Sequence, residues 1–157
     1  MSDLNPVSFF VPGEPVGKGR PRAVGRKRRD KSSGQLIGYT AHITPIKTEN
    51  YEKTVAAAGA MAMRDRVVIA GPVMVEMKIV VTVAASWSKK KRAAALAGDV
   101  FPTKKPDIDN VEKALFDAMN GVVWVDDVQV VNVSKSKRFG ETPGVTVRVV
   151  PLVGDCS

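Results

Sequence analysis

Four aspartates, Asp107, Asp109, Asp126 and Asp127, fall within one stretch, KPDIDNVEKALFDAMNGVVWVDD (Lys105 to Asp127), which holds six of the sixteen carboxylates of a 157-residue chain. Carboxylates are hard oxygen donors, and gathered at one point they repel one another unless a cation sits between them. A divalent ion that keeps water positions open fits such a donor set: magnesium, with manganese as a substitute. Asp107 and Asp109 stand two apart where the chain passes from extended to helical, so both can turn toward one point. Asp126 and Asp127 follow after one helix and a tight return, which predicts that they lie beside that helix start. Lys113, one turn after Asp109, is placed to offset charge on an attacked phosphate or a leaving oxygen. The same residues admit a plainer account. Asp107 can be an N-cap, Asp109 a favourable charge on the helix dipole, Asp109, Lys113 and Asp117 an i,i+4 ladder, and Asp126-Asp127 a turn. Those accounts together leave unexplained an acidic knot in a protein of net charge +8.

The charge is concentrated. Between Val16 and Lys31 stand Lys18, Arg20, Arg22, Arg26, Lys27, Arg28, Arg29 and Lys31 against the single acid Asp30, a local charge of +7. The rest of the chain, with sixteen basic and fifteen acidic residues, is nearly neutral. One arm therefore carries the attraction for a polyanion, and those eight side chains are the candidate nucleic-acid contacts. The single cysteine, Cys156, excludes an intrachain disulfide and suits a reducing cytoplasm. No signal peptide is legible, and the apolar run Pro72 to Ala85 is broken by Glu76 and Lys78, so no membrane partner is expected.

The elements that must position these groups follow from periodicity. Val7 to Val11 predicts a strand closed by Pro12-Gly13. Residues 13–45, rich in Gly, Arg, Lys and Ser, show no period and predict a long, basic, mobile loop. Thr48 can cap a helix running to about Arg66, whose VAAAGAMAM half is small enough for close packing. Val73, Val75, Met77, Ile79, Val81 and Val83 alternate with Glu76, Lys78 and Thr82 in a strand with one core face. Ser88 caps a short basic helix ended by Gly98. Asp107 or Asp109 opens a helix with the stripe Ile108, Val111, Leu115, Ala118 and Met119, stopped by Asn120-Gly121. Val122 to Val125 and Val128 to Val133 read as a strand interrupted by the aspartate pair. Val145, Val147 and Val149 mark a last strand, and 151–157 a tail. The whole of 1–157 reads as one α+β domain, a mixed sheet packed with two main helices.

PDIDNVEKALFDAMNG followed by VWVDDVQV resembles the signature of the RusA family of Holliday-junction resolvases, endodeoxyribonucleases of bacteria and phages. VPGEPVGKGRPR is similar to the N-terminal half of phage members. So are Tyr39-Thr40 and Thr44-Pro45-Ile46-Lys47-Thr48, with Ala41-His42-Ile43 inserted between them. The resemblance spans roughly Phe9 to Val150. It implies that Asp107, Asp109 and Asp127 bind magnesium, that Lys113 is the essential lysine, and that the protein is a homodimer. Each protomer would cut one of two opposed strands of a four-way junction, leaving ligatable nicks. The unusually basic arm VGRKRRDKSSGQLIGY departs from the family pattern.

Competing motifs are weaker. Gly13-Glu14-Pro15-Val16-Gly17-Lys18-Gly19 follows a strand as a phosphate-binding loop does, but has three residues between its first glycines and Gly19 where Ser or Thr should bind magnesium. Asp65, Glu76 and Lys78 imitate a restriction-nuclease order, yet Glu76 and Lys78 fall on the outer face of a strand. His42 stands without a Cys or His cluster, which excludes zinc. Trp87 and Trp124 fit core or interface anchors better than base-stacking platforms. The alternatives are a non-catalytic nucleic-acid binder and a magnesium nuclease acting on flaps or forks.

Overall fold

The structure, a computed structural model, describes residues 4–153. Its sheet has four strands in the order β1 (Val7–Pro12), β6 (Gly144–Pro151), β4 (Val73–Val81), β5 (Val130–Phe139). The β1/β6 and β6/β4 pairs are antiparallel and β4/β5 is parallel, so this is the mixed sheet of an α+β fold. Alternation decides the buried face: Val73, Val75, Met77, Ile79 and Val81 of β4 and Val145, Val147 and Val149 of β6 point inward. Glu76 and Lys78 face outward, Glu76 pairing with Arg148 at 3.5 Å, so the restriction-type reading has no site.

Helix α1 (Ile46–Met63) packs on β1 and on α3 (Ile108–Met119). A Cβ on Gly59 would lie 3.1 Å from a Val123 methyl, so the small residues of α1 do permit close approach. Val111, Leu115 and Met119 of α3 are buried at helical spacing, and Trp124 closes the core edge-on to Phe116 with ring centres 5.2 Å apart. The Trp124 indole donates to Asn120 Oδ1 at 2.7 Å, leaving no orphaned polar atom there. Ser88 caps α2 (Lys89–Leu96) by accepting the Lys91 amide, and Gly98 follows at φ 89°.

Several expectations are corrected. Thr48 does not cap α1: Pro45 holds the cap position, and the buried Thr48 hydroxyl accepts the Gly19 amide at 3.0 Å. Residues 121–125 form a turn and not a strand, because Trp124 makes only isolated bridges to Ile69 and Asn120. Asp127–Gln129 is one 3₁₀ turn, and β5 begins after it. Within residues 13–45, where an irregular loop was expected, β2 (Arg22–Arg29) and β3 (Leu36–Ile43) pair as an antiparallel hairpin. Its strands bury almost nothing, so no core face marks them in the sequence. The tail predicted over 151–157 starts inside β6, and residues 154–157, with Cys156, lie outside the described residues. Among the described residues no helix is long and apolar enough to cross a membrane.

The hairpin is held at its tip by Asp30. Its carboxylate accepts the Ser32 and Ser33 hydroxyls at 2.7 and 2.8 Å, which pulls its pKa down to about 2. A pKa lower in the folded than in the unfolded chain means that this contribution is present above about pH 4 and lost as pH falls through about 2. Carboxyl chemical shifts followed by NMR should titrate Asp30 near 2 in the native protein and near the ordinary value in a Ser32→Ala, Ser33→Ala variant; an ordinary titration in the native protein would refute the tip geometry.

Candidate active site

Helix α3 begins at an aspartate whose side chain does not bond the helix backbone. Asp107 occupies the cap position in extended backbone but makes no side-chain cap bond; its Oδ2 accepts from Asn110 Nδ2 at 3.3 Å. The plain reading of Asp107 as a capping side chain therefore fails on geometry. Two residues on, Asp109 is 80% exposed and accepts from Lys135 Nζ at 2.8 Å, while Glu112 accepts from the same ammonium at 2.7 Å. The Lys135 bond, aided by the charges of Lys135 and Lys113, holds Asp109 below the usual carboxylate range. Lys135 in turn is raised, first by Asp109 and then by Glu112.

Asp127 opens the 3₁₀ turn that packs against α3. Its carboxyl is pushed up, first by a hydrogen bond shared with Asp126, then by burial and by the charges of Asp126 and Asp117. The α3 acid whose charge acts on it is Asp117, eight residues past Asp109, or about 12 Å along a helix rising 1.5 Å per residue. Gln129 fixes the turn: its side-chain oxygen accepts the Asp126 amide at 2.9 Å, and its side-chain nitrogen donates to the carbonyls of Ile69 and Gly71.

Among the described residues, no group of three or more His, Cys, Asp or Glu side chains is placed to hold a metal ion. Asp107, Asp109 and Asp127 lie around one helix, with their carboxylates turned to Asn110, Lys135 and Asp126 respectively. The donor chemistry suits a hard divalent ion all the same: every group is a carboxylate, and the Asp126–Asp127 pair carries a like-charge surplus that a cation relieves.

Lys18 departs from its expected place among the phosphate-binding arm. It forms ion pairs with Glu52 of α1 and, at 2.9 Å, with Asp117 of α3. Burial lowers its pKa, but the bonds to Glu52 and Asp117 outweigh that and the net shift is upward. Its amide donates to the Asn110 carbonyl at 2.9 Å. The flanking glycines have a packing reason: a Cβ on Gly17 would meet Asn110 Cβ at 3.1 Å, and one on Gly19 would meet Pro45 Cγ at 2.8 Å. Gly-Lys-Gly is a splice between α1 and α3, and with Lys47, Lys105 and Asp107 it lines a cleft of about 460 Å³. The remaining arm residues, Arg20, Arg22, Arg26, Lys27, Arg28, Arg29 and Lys31, are all exposed on or beside β2. Pairing places Arg22, Arg26 and Arg28 on one face of the hairpin with Tyr39, and Lys27 and Arg29 on the other.

Lys135 and Lys137 were not singled out as site residues from sequence. Lys137 Nζ donates to the carbonyls of Lys104 at 2.8 Å and Pro106 at 3.0 Å, fixing the loop that delivers Asp107. Their spacing of two on a strand, which puts both on one face, was the available signal.

A protein-family model described as Endodeoxyribonuclease RusA matches residues 12–150. The Bacillus subtilis (strain 168) protein YqaN, whose description is "uncharacterized", is 35% identical over 145 residues, which is 91% of this chain and 94% of its own length.

Lys18→Met strands Glu52 and Asp117 without a counterion, and should cost about 1–2 kcal/mol of stability in urea unfolding. Arg26→Ala, on the solvated hairpin, should stay within about 0.5 kcal/mol. Equal effects would return Lys18 to the arm.

Proposed function

The chain belongs to the RusA family, endodeoxyribonucleases that resolve Holliday junctions and in general depend on a divalent metal, and from that premise we propose how its own residues do so. Asp107, Asp109 and Asp127 are the metal-holding carboxylates, the ion is magnesium, and Lys113 is the cation beside the reacting phosphate. The observation that carries this reading is Asp107, a cap-position carboxylate that makes no cap bond to the helix backbone and only a long one, 3.3 Å, to the Asn110 side chain.

A bound divalent ion supplies Lewis-acid polarisation of the phosphate and a water of lowered pKa. The chain's residues do the rest. Asp109 turns from Lys135 toward Asp107. Lys135 keeps Glu112 as its partner and presents the remainder of its charge to the incoming strand. Asp127 is steered by the Gln129-anchored turn. The exposed arginines of the hairpin bind phosphates, which positions DNA without reading its sequence. Family members bind branched DNA; a homodimer would set two such sites about a twofold axis, matching two opposed strands of a four-way junction.

With magnesium, the native protein should give symmetric paired nicks on a synthetic four-way junction and cut a linear duplex of the same sequence far more slowly. Asp109→Asn and Asp127→Asn should each lower the single-turnover rate by about 10²-fold or more, and Lys113→Ala by about 10²-fold, with junction binding in calcium retained. Variants that cut at the native rate, or a duplex cut as fast as the junction, would overturn the proposal.

A further inference from the structure

On the far side of the loop that delivers Asp107 lies a second cleft, of about 230 Å³, walled by the rings of Trp87, Phe101 and Phe139 and floored by Lys104, Lys105 and Pro106. We infer that this cleft receives one unpaired nucleobase of the strand being cut; the inference rests on the nuclease reading above.

Four observations carry it. Phe101 is 53% exposed, so its ring is open to a ligand entering the cleft. The walls are aromatic and their surroundings cationic: Lys91 Nζ sits 3.9 Å from the centre of the Trp87 ring, and the Arg138 guanidinium 4.7 Å from that of Phe101. Aromatic faces flanked by basic side chains are the standard means of holding a base while its phosphates are neutralised. The lining also has one polar edge, the Glu14 carboxylate hydrogen-bonded to the Thr82 hydroxyl, which suits a ring with a polar rim better than an aliphatic side chain.

Size and place agree. The volume falls below the roughly 300–1,000 Å³ of sites for drug-sized ligands and suits a single planar ring system. Lys105 and Pro106 line both this cleft and the one containing Asp107, so the two share a wall that Lys137 holds by its carbonyls. A strand with its phosphate at Asp107 can therefore place a neighbouring base among the rings. Drawing a base out of a duplex costs least where pairing is already disturbed, as at a branch point. Such a cleft would favour junctions over duplex by a route additional to dimer symmetry.

The test uses the full-length protein and junctions carrying an abasic residue at each of three nucleotides either side of the mapped cut. At one position the abasic residue should slow native single-turnover cleavage about tenfold; Phe101→Ala should slow the unmodified junction about tenfold and be insensitive to the abasic residue; Phe101→Trp should restore both rate and sensitivity. Thermal unfolding of Phe101→Ala should match the native protein, since the ring is half exposed. Independently of cutting, 2-aminopurine at that position should change its fluorescence when the native protein binds in calcium, and not when Phe101→Ala binds. A flat abasic scan in a native protein that cuts normally, or abasic and Phe101→Ala effects that multiply, would overturn the pocket alone. A native protein that cuts no junction would overturn the nuclease reading, and 2-aminopurine placed in turn at each of the three nucleotides either side of the branch point, with binding in calcium, would still decide the pocket.

Discussion

Negative charge along α3 is the constraint around which the rest is arranged. Asp109, Glu112 and Asp117 on the helix, with Asp126 and Asp127 on the adjacent turn, would drive the two elements apart without counterions. Two ammonium groups from distant parts of the chain supply them: Lys135 from β5 grips Asp109 and Glu112, and Lys18 from the segment after β1 grips Asp117 together with Glu52 of α1. Each lysine joins two carboxylates, so each cross-links elements as well as neutralising them. Among the described residues no lysine pairs with Asp126 or Asp127, and the hydrogen bond to Asp126, burial and the neighbouring acids hold the Asp127 carboxyl above its usual range.

Packing and exposure are divided between the two sides of the molecule. The acidic side rests on α1, α3 and the sheet, and its entry loop is fixed by Lys137 and by the close approach of Gly17 and Gly19. The basic side is a two-stranded ribbon whose residues are almost all exposed, tied at its tip by Asp30 and at its base by the Gly19–Thr48 bond. A hairpin without a core is marginal on its own.

Legibility followed burial. Strand β4, with one buried face, and α3, with a buried stripe, were readable because a repeating environment imposes a repeating pattern. Ser88 and Gly98 were readable because cap chemistry is local. The β2–β3 hairpin was not, since neither face meets a core: β2 is mostly charge, and Leu36, Ile37, Tyr39 and Ile43 of β3 stay exposed. Val122 to Val125 looked like a strand because three valines and a tryptophan are apolar; Trp124 is buried in a turn, a burial without period. Thr48 looked like a cap, and its hydroxyl instead serves Gly19, 29 residues away.

By itself the sequence determined the fold class, the candidate residues for the chemistry and the family, because residue type, charge and short-range spacing are properties of the chain alone. Asp107, Asp109, Lys113 and Asp127, the basic arm and the family signature were all visible there. Only the tertiary structure decided the partners: Lys135 on Asp109, Lys18 on Asp117, Lys137 behind Asp107, and three rings around one cleft. Those contacts join residues far apart along the chain, and electrostatic and packing energies depend on distance in space, which no local pattern encodes.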